Sequence, residues 1–465
     1  MNRACLAKGT NLHEQKQHAS SPAYAGQAIR PIKNNFVRMK RNFVFIIAVL
    51  ITATLSSFDG NFSQKTDPKL RMNQLKSEVS ANLTQNLLAY WSAKMVDNVN
   101  GGFYGRIDGN DKVYPNEEKG GILNARILWT YSSAYRILKD TSYLRLATRE
   151  KDYVLAHFID KQYGGAYRSV NSKGEPADTR KQTYTMSFFI YGMAEYYRAT
   201  GDKEALKTAK DIFEAFEKYA LDKESNGYFE VFARDWTRSR DMLIGEKTIN
   251  DQKTMNTSLH LMEAYTNLYR VWPDKRMGER LKNIVELFVD KIVDKKTSHL
   301  ICFMDKDWKK TSTIDSYGHD IEASWLLCEA ANLLGDPALL AKVKDVSIKI
   351  ADAAAEGLQP DGSVIDEKNY ATGMLRTERS WWPQVEAVVG FMNVFELTGK
   401  EKYLDYSINN WNYIKTHFVD NKAGGWFSSV SEKGVVNKGD KGGFWICPYH
   451  SGRMCMEIIE RVSAK

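Results

Sequence analysis

The chain has 465 residues, which allows one large domain or two of medium size. Its formal charge of +8 is concentrated near the N-terminus. Residues 1–64 hold eight Lys and Arg against two Asp and Glu, which leaves +2 for residues 65–465. A nearly neutral body argues against a nucleic-acid-binding surface, so no nucleic-acid partner is expected.

Residues 1–64 have the pattern of an export leader. Met39-Lys40-Arg41 precedes an apolar run of 13 residues, 43–55, and two serines follow that run. A basic start and an apolar core too short to span a bilayer comfortably are typical of a secretory signal peptide. Residues 1–38 are polar and patternless, so Met39 is predicted to be the true start. We therefore predict a periplasmic or secreted protein; a membrane-anchored and a cytoplasmic protein are the alternatives.

The cysteines give no sign of a metal site or a disulfide framework. No C-x-x-C pair and no zinc spacing occurs among the five, which are Cys5, Cys302, Cys328, Cys447 and Cys455. We expect buried free thiols in a fold that does not depend on disulfides.

From Pro68 onward, a short Gly/aromatic segment recurs at intervals of roughly 60 to 70 residues. Its six copies are residues 101–105, 163–167, 226–229, 299–303, 361–364 and 424–427. Polar turns such as Thr200-Gly201-Asp202 lie between the copies, and the intervening segments carry apolar residues at helical spacing. One repeat is therefore helix, Gly/aromatic loop, helix and tight turn. We predict an all-α protein of about twelve helices, in which residues 68–463 form one (α/α)6 barrel with the loops at one mouth; an open superhelix is the alternative.

The helix after each Gly/aromatic loop carries chemically active side chains near its start. These helices are predicted to begin near residues 121, 181, 250, 316, 381 and 444. The side chains are Arg126, Tyr184, Asn256, His260, His319, Glu322, Trp381, Trp382, Trp445 and His450. If these helices form the inner ring of the barrel, the same end of each faces one mouth, and the side chains converge on one pocket. Singly, each also has a structural interpretation, such as a satisfied core histidine for His260.

The residue types in this set favour proton transfer. The chain has no nucleophile elbow, phosphate loop or H-E-x-x-H motif, while a metal held by three histidines remains open. His319 and His450 fall in first helical turns, where the helix N-terminus disfavours an imidazolium. Two neutral histidines on different helices suit removal of a proton from one face of a substrate and its return on the other.

The other side chains suit a sugar and a developing negative charge. Arg126 and His260 could hold an oxygen on which negative charge develops, and Glu322 could orient a histidine or bind a hydroxyl. The tryptophans offer flat faces for sugar rings. No carboxylate pair suited to glycoside hydrolysis stands out at the helix starts.

Together these motifs resemble the N-acylglucosamine 2-epimerase superfamily, and most closely its cellobiose (mannobiose) 2-epimerase branch. They occur in family order between about residue 75 and the end, as Arg126, Tyr184, Asn256-x-x-x-His260, Gly318-His319-Asp320-Ile321-Glu322, Trp381-Trp382-Pro383-Gln384 and Trp445 with His450. The resemblance implies an (α/α)6 barrel that needs no metal and no other cofactor. The export leader is a departure, because many relatives lack one.

The resemblance also implies roles for the site residues. His319 and His450 correspond to the acid–base pair, His260 assists at the open-chain carbonyl, and Arg126 steadies an enediolate. Two tryptophans stack on the two sugar units, and four residues are supporting substrate contacts. The stacking residues are Trp382 and Trp445, and the supporting ones are Tyr184, Asn256, Glu322 and Trp381.

The implied activity is inversion of C2 in the reducing-end sugar of a disaccharide through a cis-enediolate. Cellobiose would give glucosyl-mannose, and mannobiose would give mannosyl-glucose. The alternatives are an aldose–ketose isomerase or N-acylglucosamine 2-epimerase of the same superfamily, a glycoside hydrolase or lyase on the same barrel, and a non-catalytic sugar-binding protein. The expected partner is a small disaccharide, with no stable membrane association once the leader is removed and a monomer or weak homodimer in solution.

Overall fold

The computed structural model describes residues 67–238, 243–244, 247–248 and 252–464. The predicted leader, with Met39 and Cys5, lies outside these residues, so its boundary with the barrel stays a prediction. In the described part, no helix is long and apolar enough to cross a membrane.

The outer layer consists of amphipathic helices. In α6, buried residues recur at helical spacing as Ala205, Ala209, Ile212 and Phe213, while the opposite face is exposed. The outer helices are α1 (Pro68–Asn82) continued by α2 (Leu88–Lys94), α4 (Thr141–Tyr153), α6 (Lys203–Ala215), α8 (Lys275–Leu287), α10 (Pro337–Ala354) and α12 (Glu401–His417). A π turn over Leu83–Leu87 joins α1 to α2, so that the two form one rod.

The inner layer consists of helices that are buried on nearly every side. In α3, every residue from Gly121 to Ala134 is buried, which places the helix in the interior. The inner helices are α3 (Gly121–Leu138), α5 (Thr183–Thr200), α7 (Met255–Val271), α9 (Tyr317–Leu334), α11 (Trp381–Thr398) and α13 (Tyr449–Ser463). Each inner helix contacts the next, and α13 contacts α3, which closes the ring. The predicted (α/α)6 barrel is confirmed, and the open superhelix is wrong.

The predicted polar turns join each inner helix to the outer helix that follows it. Gly201 ends α5 with a φ of 77°, a left-handed conformation that glycine adopts without steric cost. Asp202 then caps α6, because its carboxylate accepts hydrogen bonds from the backbone N–H groups of Glu204 and Ala205. The chain therefore reverses direction within two residues.

The loops lie at the mouth of the barrel where the inner helices begin, and short antiparallel strands pair these loops with one another. The strands are β1 (Ile107–Asp108), β2 (Lys119–Gly120), β3 (Ser169–Val170), β4 (Pro176–Asp178), β5 (Lys181–Gln182), β6 (Val231–Phe232), β7 (Leu243–Ile244), β8 (Lys247–Thr248), β9 (Gln252–Thr254), β10 (Phe303–Asp305), β11 (Ile314–Ser316), β12 (Glu367–Asn369), β13 (Met374–Arg376), β14 (Arg379–Ser380), β15 (Ser429–Val430), β16 (Val436–Asn437) and β17 (Asp440–Gly442). Neighbouring repeats are joined by β2–β3, β5–β6, β9–β10, β11–β12 and β14–β15, and β1–β17 joins the last repeat to the first. In that last pair Ile107 lies opposite Gly442. The mouth is thus closed by strand pairing as well as by helix packing.

A buried Lys–Asp ion pair recurs between these loops and the inner helices. The Asp stands in the turn of a Gly/aromatic loop, and the Lys precedes the next inner helix, except in the last repeat, where a longer loop intervenes. The pairs are Asp97–Lys119 at 2.9 Å, Asp160–Lys181 at 2.8 Å, Asp222–Lys253 at 2.6 Å and Asp420–Lys441 at 2.8 Å. Because all four are largely shielded from solvent, they hold the starts of the inner helices in register with the mouth.

Two inner helices begin later than predicted. α7 begins at Met255 rather than near residue 250, because β9 occupies the preceding residues. α13 begins at Tyr449 rather than near residue 444, with Pro448 as its N-cap, so Trp445 lies in the loop before the helix. The cysteines are as predicted, since Cys302, Cys328, Cys447 and Cys455 are buried and free.

Candidate active site

One cavity of about 310 Å³ lies at the starts of the inner helices, and all the predicted site residues line it. Its walls are Arg126, Tyr184, Asn256, His260, His319, Glu322, Trp381, Trp382, Trp445, Ile446 and His450. A second cavity of about 270 Å³ shares Tyr184, Asn256, His319 and Trp445 with the first. The structure therefore brings the ten predicted side chains together, while their roles in a reaction stay predictions.

His450 is held by a carboxylate that the sequence did not suggest. Its Nδ1 lies 2.7 Å from Oε1 of Glu386, a residue of α11. Burial, with the nearby charges of Arg126 and Arg453, lowers the pKa of His450 well below its usual value. In the neutral ring Nδ1–H donates to the carboxylate, so the lone pair of Nε2 is left for a substrate proton.

His319 is also held neutral, on another helix. Its Nδ1 lies 2.8 Å from the hydroxyl oxygen of Ser316, the residue before α9. Burial, and secondarily the charge of His260, lower the pKa of His319 to about 3. The ring of Trp382 lies near both histidines, with its centroid 4.6 Å from that of His319 and 5.9 Å from that of His450. The neutral state predicted from the helix N-termini is present, and its main cause is burial.

The buried neutral His319 should make the fold sensitive to acid. Its pKa is lowered, so the unfolded chain gains a proton below about pH 6.5 while the folded protein does not until about pH 3. The free energy of unfolding therefore falls as pH drops through this window. Between pH 7 and pH 5, the free energy of unfolding of His319→Asn should fall by about 2 kcal/mol less than that of the wild type. Urea denaturation of both proteins at the two pH values measures this difference, and equal losses would contradict it.

Arg126 presents a positive charge without a carboxylate partner among the described residues. Its guanidinium donates to the Tyr184 hydroxyl at 3.1 Å and lies 4.1 Å from the ring centre of Phe188. Its Nε is buried without a hydrogen-bond partner in the described part of the chain. Burial acts to lower the pKa of Arg126, but Tyr184 and other nearby groups raise it overall, so the side chain stays charged. This arrangement suits a substrate oxygen that becomes negative.

His260 lines the same cavity from α7, and a carboxylate of that helix orients its ring. Its Nδ1 lies 2.9 Å from Oε2 of Glu263, one turn further along α7. Its ring packs edge-on against that of Tyr184, with centroids 5.3 Å apart. Asn256, one turn earlier on α7, has a buried Oδ1 without a partner in the described part of the chain. Both side chains therefore have polar atoms left for a ligand.

Three buried glutamates and one arginine lie directly beneath the cavity, and we call Glu263, Glu322, Glu386 and Arg453 the glutamate cluster. Arg453 of α13 donates to all three carboxylates, with 2.7 Å to Glu386, and also contacts the Tyr449 hydroxyl. All four members are almost completely buried. A single guanidinium therefore joins helices α7, α9 and α11 to α13.

The carboxyls of the glutamate cluster differ in pKa. Burial acts to raise the pKa of Glu263, but Arg453 and the hydrogen bond with His260 lower it to about 2, so Glu263 is ionised. Burial and the neighbouring Glu386 raise the pKa of Glu322 to about 7. Burial also raises the pKa of Glu386 in spite of Arg453, so Glu322 and Glu386 both hold a proton more readily than an ordinary carboxyl.

Sequence reasoning missed three members of the glutamate cluster. Glu263 follows His260 by three residues, Glu386 follows Trp382 by four, and Arg453 follows His450 by three. In each of these three cases a charged residue follows a predicted site residue by one turn, in a helix that is otherwise rich in apolar residues. This pattern could have indicated a buried charge.

Donor atoms of Glu322, Glu386 and His450 lie within 4.8 Å of one another. Arg453 already donates to both of these carboxylates. The cation that these two carboxylates contact in the described part of the chain is therefore the guanidinium of Arg453.

Known proteins share both the sequence and the fold. The sequence profile of N-acylglucosamine 2-epimerase (GlcNAc 2-epimerase) matches residues 102–451. A cellobiose 2-epimerase of Bacteroides fragilis is 51% identical over 386 residues, covering 83% of this chain and 98% of that protein. The structure of cellobiose 2-epimerase from Bacillus thermoamylovorans superimposes with a TM-score of 0.80 at 40% identity, over 84% of this chain and all of that one. A D-mannose isomerase structure, with a TM-score of 0.73 at 17% identity, shows the fold alone.

These matches, together with the cavity, define a carbohydrate epimerase built on an (α/α)6 barrel. The chain belongs to the N-acylglucosamine 2-epimerase family, in its cellobiose 2-epimerase branch.

Proposed function

We propose that the protein inverts C2 of the reducing-end sugar of a disaccharide, with cellobiose and mannobiose as substrates. The observation that carries this proposal is the pair of buried neutral histidines on different walls of one cavity, His319 on α9 and His450 on α13. Names of similar proteins support the disaccharide, since the B. fragilis relative is a cellobiose 2-epimerase. The reducing-end units of cellobiose and mannobiose differ at C2, which is the carbon that reacts.

The reaction needs the sugar in its open-chain form, in which C2 lies next to a carbonyl group. One histidine removes the C2 proton, and the electron pair moves into the C1–C2 bond to give a cis-enediolate. The other histidine, which must first receive a proton, delivers that proton as an imidazolium to the opposite face of C2. His450 is oriented for the first step in one direction by its hydrogen bond to Glu386, and the two histidines exchange roles in the reverse direction.

The remaining side chains bind the substrate and the enediolate. Arg126 and His260 neutralise the oxygens on which negative charge develops, because both have hydrogen-bonding atoms free for a ligand. Trp382, close to both histidines, supports the reducing-end unit, and Trp445, shared by the two cavities, supports the second unit. The supporting contacts are Tyr184, Asn256, Glu322 and Trp381.

We also propose that residues 1–64 direct export and that residues 68–463 are the single catalytic domain. The support is the layout of residues 39–57, with a basic start, an apolar run and small polar residues after it. The enzyme would then meet disaccharides in the periplasm or outside the cell, as a monomer or weak homodimer.

A single turnover in heavy water tests the proposed reaction. We expect enzyme equilibrated in heavy water, and in excess over cellobiose or mannobiose, to give product with deuterium at C2, because the delivered proton comes from an exchangeable side chain. Proton NMR of the products measures both the inversion and the label. Product without deuterium would contradict the two-histidine reaction, and unchanged sugar would leave only a binding protein.

A further inference from the structure

The two oxygens of Glu322 have different surroundings. Oε1 accepts a hydrogen bond from Arg453, whereas Oε2 is buried without a partner in the described part of the chain. Glu322 also lines the cavity. A buried carboxylate oxygen without a partner is unfavourable, while a protonated carboxyl at that place lowers the penalty and carries a transferable proton.

Glu322 lies close to His450 and shares a helix with His319. A carboxylate oxygen of Glu322 lies within 4.8 Å of a ring nitrogen of His450. His319 precedes Glu322 by three residues on α9, so the two side chains share a face of the helix, and both line the cavity. Glu322 is therefore placed beside His450 and on the same cavity-lining face of α9 as His319.

Inversion by two histidines requires one protonated ring and one neutral ring at the start of each turnover. In the free protein, burial lowers the pKa of both His319 and His450, so neither ring carries the extra proton at neutral pH. The proton delivered to C2 must then come from a third group.

We propose that Glu322 is the proton store of the site, holding between turnovers the proton that the histidines use. This inference rests on the two-histidine reaction proposed above. The cycle begins when the Glu322 carboxyl gives its proton to His319, and His450 removes the C2 proton. His319 then delivers its proton to the opposite face of C2. The imidazolium of His450 finally returns one proton to the Glu322 carboxylate, so every group regains its starting state.

The charges around Glu322 suit both of its states. Arg453 compensates the carboxylate that exists during the reaction, and the ionised Glu263, with Glu386 beside Glu322, favours the return of a proton afterwards. His260, Tyr184 and Tyr449 are further titratable groups that interact with Glu322 from neighbouring helices. One guanidinium faces three carboxyls, and this excess of negative charge favours a protonated Glu322.

The test compares Glu322→Gln with the wild type and with Glu329→Gln. Gln keeps the size and polarity of the side chain but stores no proton. Glu329 lies two turns further along α9, pairs with Arg270 and does not line the cavity. We expect kcat of Glu322→Gln to fall about 100-fold with KM within threefold, and to rise with imidazole concentration at constant pH and ionic strength. The wild type and Glu329→Gln should show no dependence on imidazole.

Three outcomes would overturn the proposal. The first is a Glu322→Gln variant with wild-type kcat, and the second is a raised KM at unchanged kcat, as expected for a substrate contact alone. The third is a loss of activity that added small molecules do not restore in variants with native circular dichroism. Imidazole would then fail to restore activity to Glu322→Gln, and formate would fail to restore it to Glu322→Ala. The single turnover of the wild type in heavy water is independent of these variants, so it separates failure of the proton store from failure of the proposed function.

Discussion

Replacing His450 or His319 by Ala should lower kcat for C2 inversion by about 10⁴-fold. Each variant loses one of the two groups that exchange a proton with C2, and the cavity offers no second base in the same position. NMR of cellobiose and mannobiose incubated with each variant measures the loss. The kcat of the double variant should lie within a few fold of the kcat of either single variant, because the two residues act as a unit.

The same variants should still exchange the C2 proton with solvent. His319→Ala retains His450, which can remove the C2 proton of one epimer and return one to the same face without inversion. His450→Ala should do the same for the other epimer. We therefore expect deuterium at C2 of unconverted sugar, with each variant labelling a different epimer.

A matched control separates these effects from a general loss of structure. His417 stacks on Tyr413 at the end of α12, with ring centroids 4.1 Å apart, and does not line the cavity. His417→Ala should keep wild-type activity. Inversion at the wild-type rate by either single variant would contradict the assignment of that histidine.

The barrel was predictable because the same order of helix, Gly/aromatic loop, helix and polar turn recurs along the sequence. The Gly/aromatic loops and the polar turns separate the helices. The turn Gly201-Asp202, for example, marks both the end of α5 and the start of α6. Closure of the ring followed from the number of repeats. The late starts of α7 and α13 were not predictable, because two- and three-residue strands such as β9 have no hydrophobic period of their own.

The walls of the cavity were predictable and its base was not. Residues at equivalent places in the six inner helices must meet at one mouth, so position alone grouped His260, His319 and His450. Glu386 and Arg453 lie one turn deeper, and in sequence each resembles an ordinary surface residue. Only the folded positions of α7, α9, α11 and α13 show that both are buried and that Arg453 binds three carboxylates.

Arg453→Met should destabilise the fold by about 3–5 kcal/mol, because it leaves three buried carboxyls without their shared cation. Urea denaturation measures the loss. Arg461→Met is the matched control, since Arg461 lies two turns further along α13, pairs with Glu396 and Glu457, and does not line the cavity. We expect a smaller loss of stability and full activity for the control.

The activity of Arg453→Met should also change with pH in a defined direction. Removing a positive charge raises the pKa of nearby carboxyls, so Glu386 becomes protonated and accepts the Nδ1–H of His450 more weakly, through a neutral oxygen. The lower-pH limb of the kcat profile should therefore move to higher pH, and alkaline buffer should restore part of the activity. Arg453→Lys should shift the limb less, because one ammonium keeps the charge but does not reach every carboxylate. An unchanged pH profile in Arg453→Met, with only stability lowered, would show that Arg453 has no part in setting the protonation of the site.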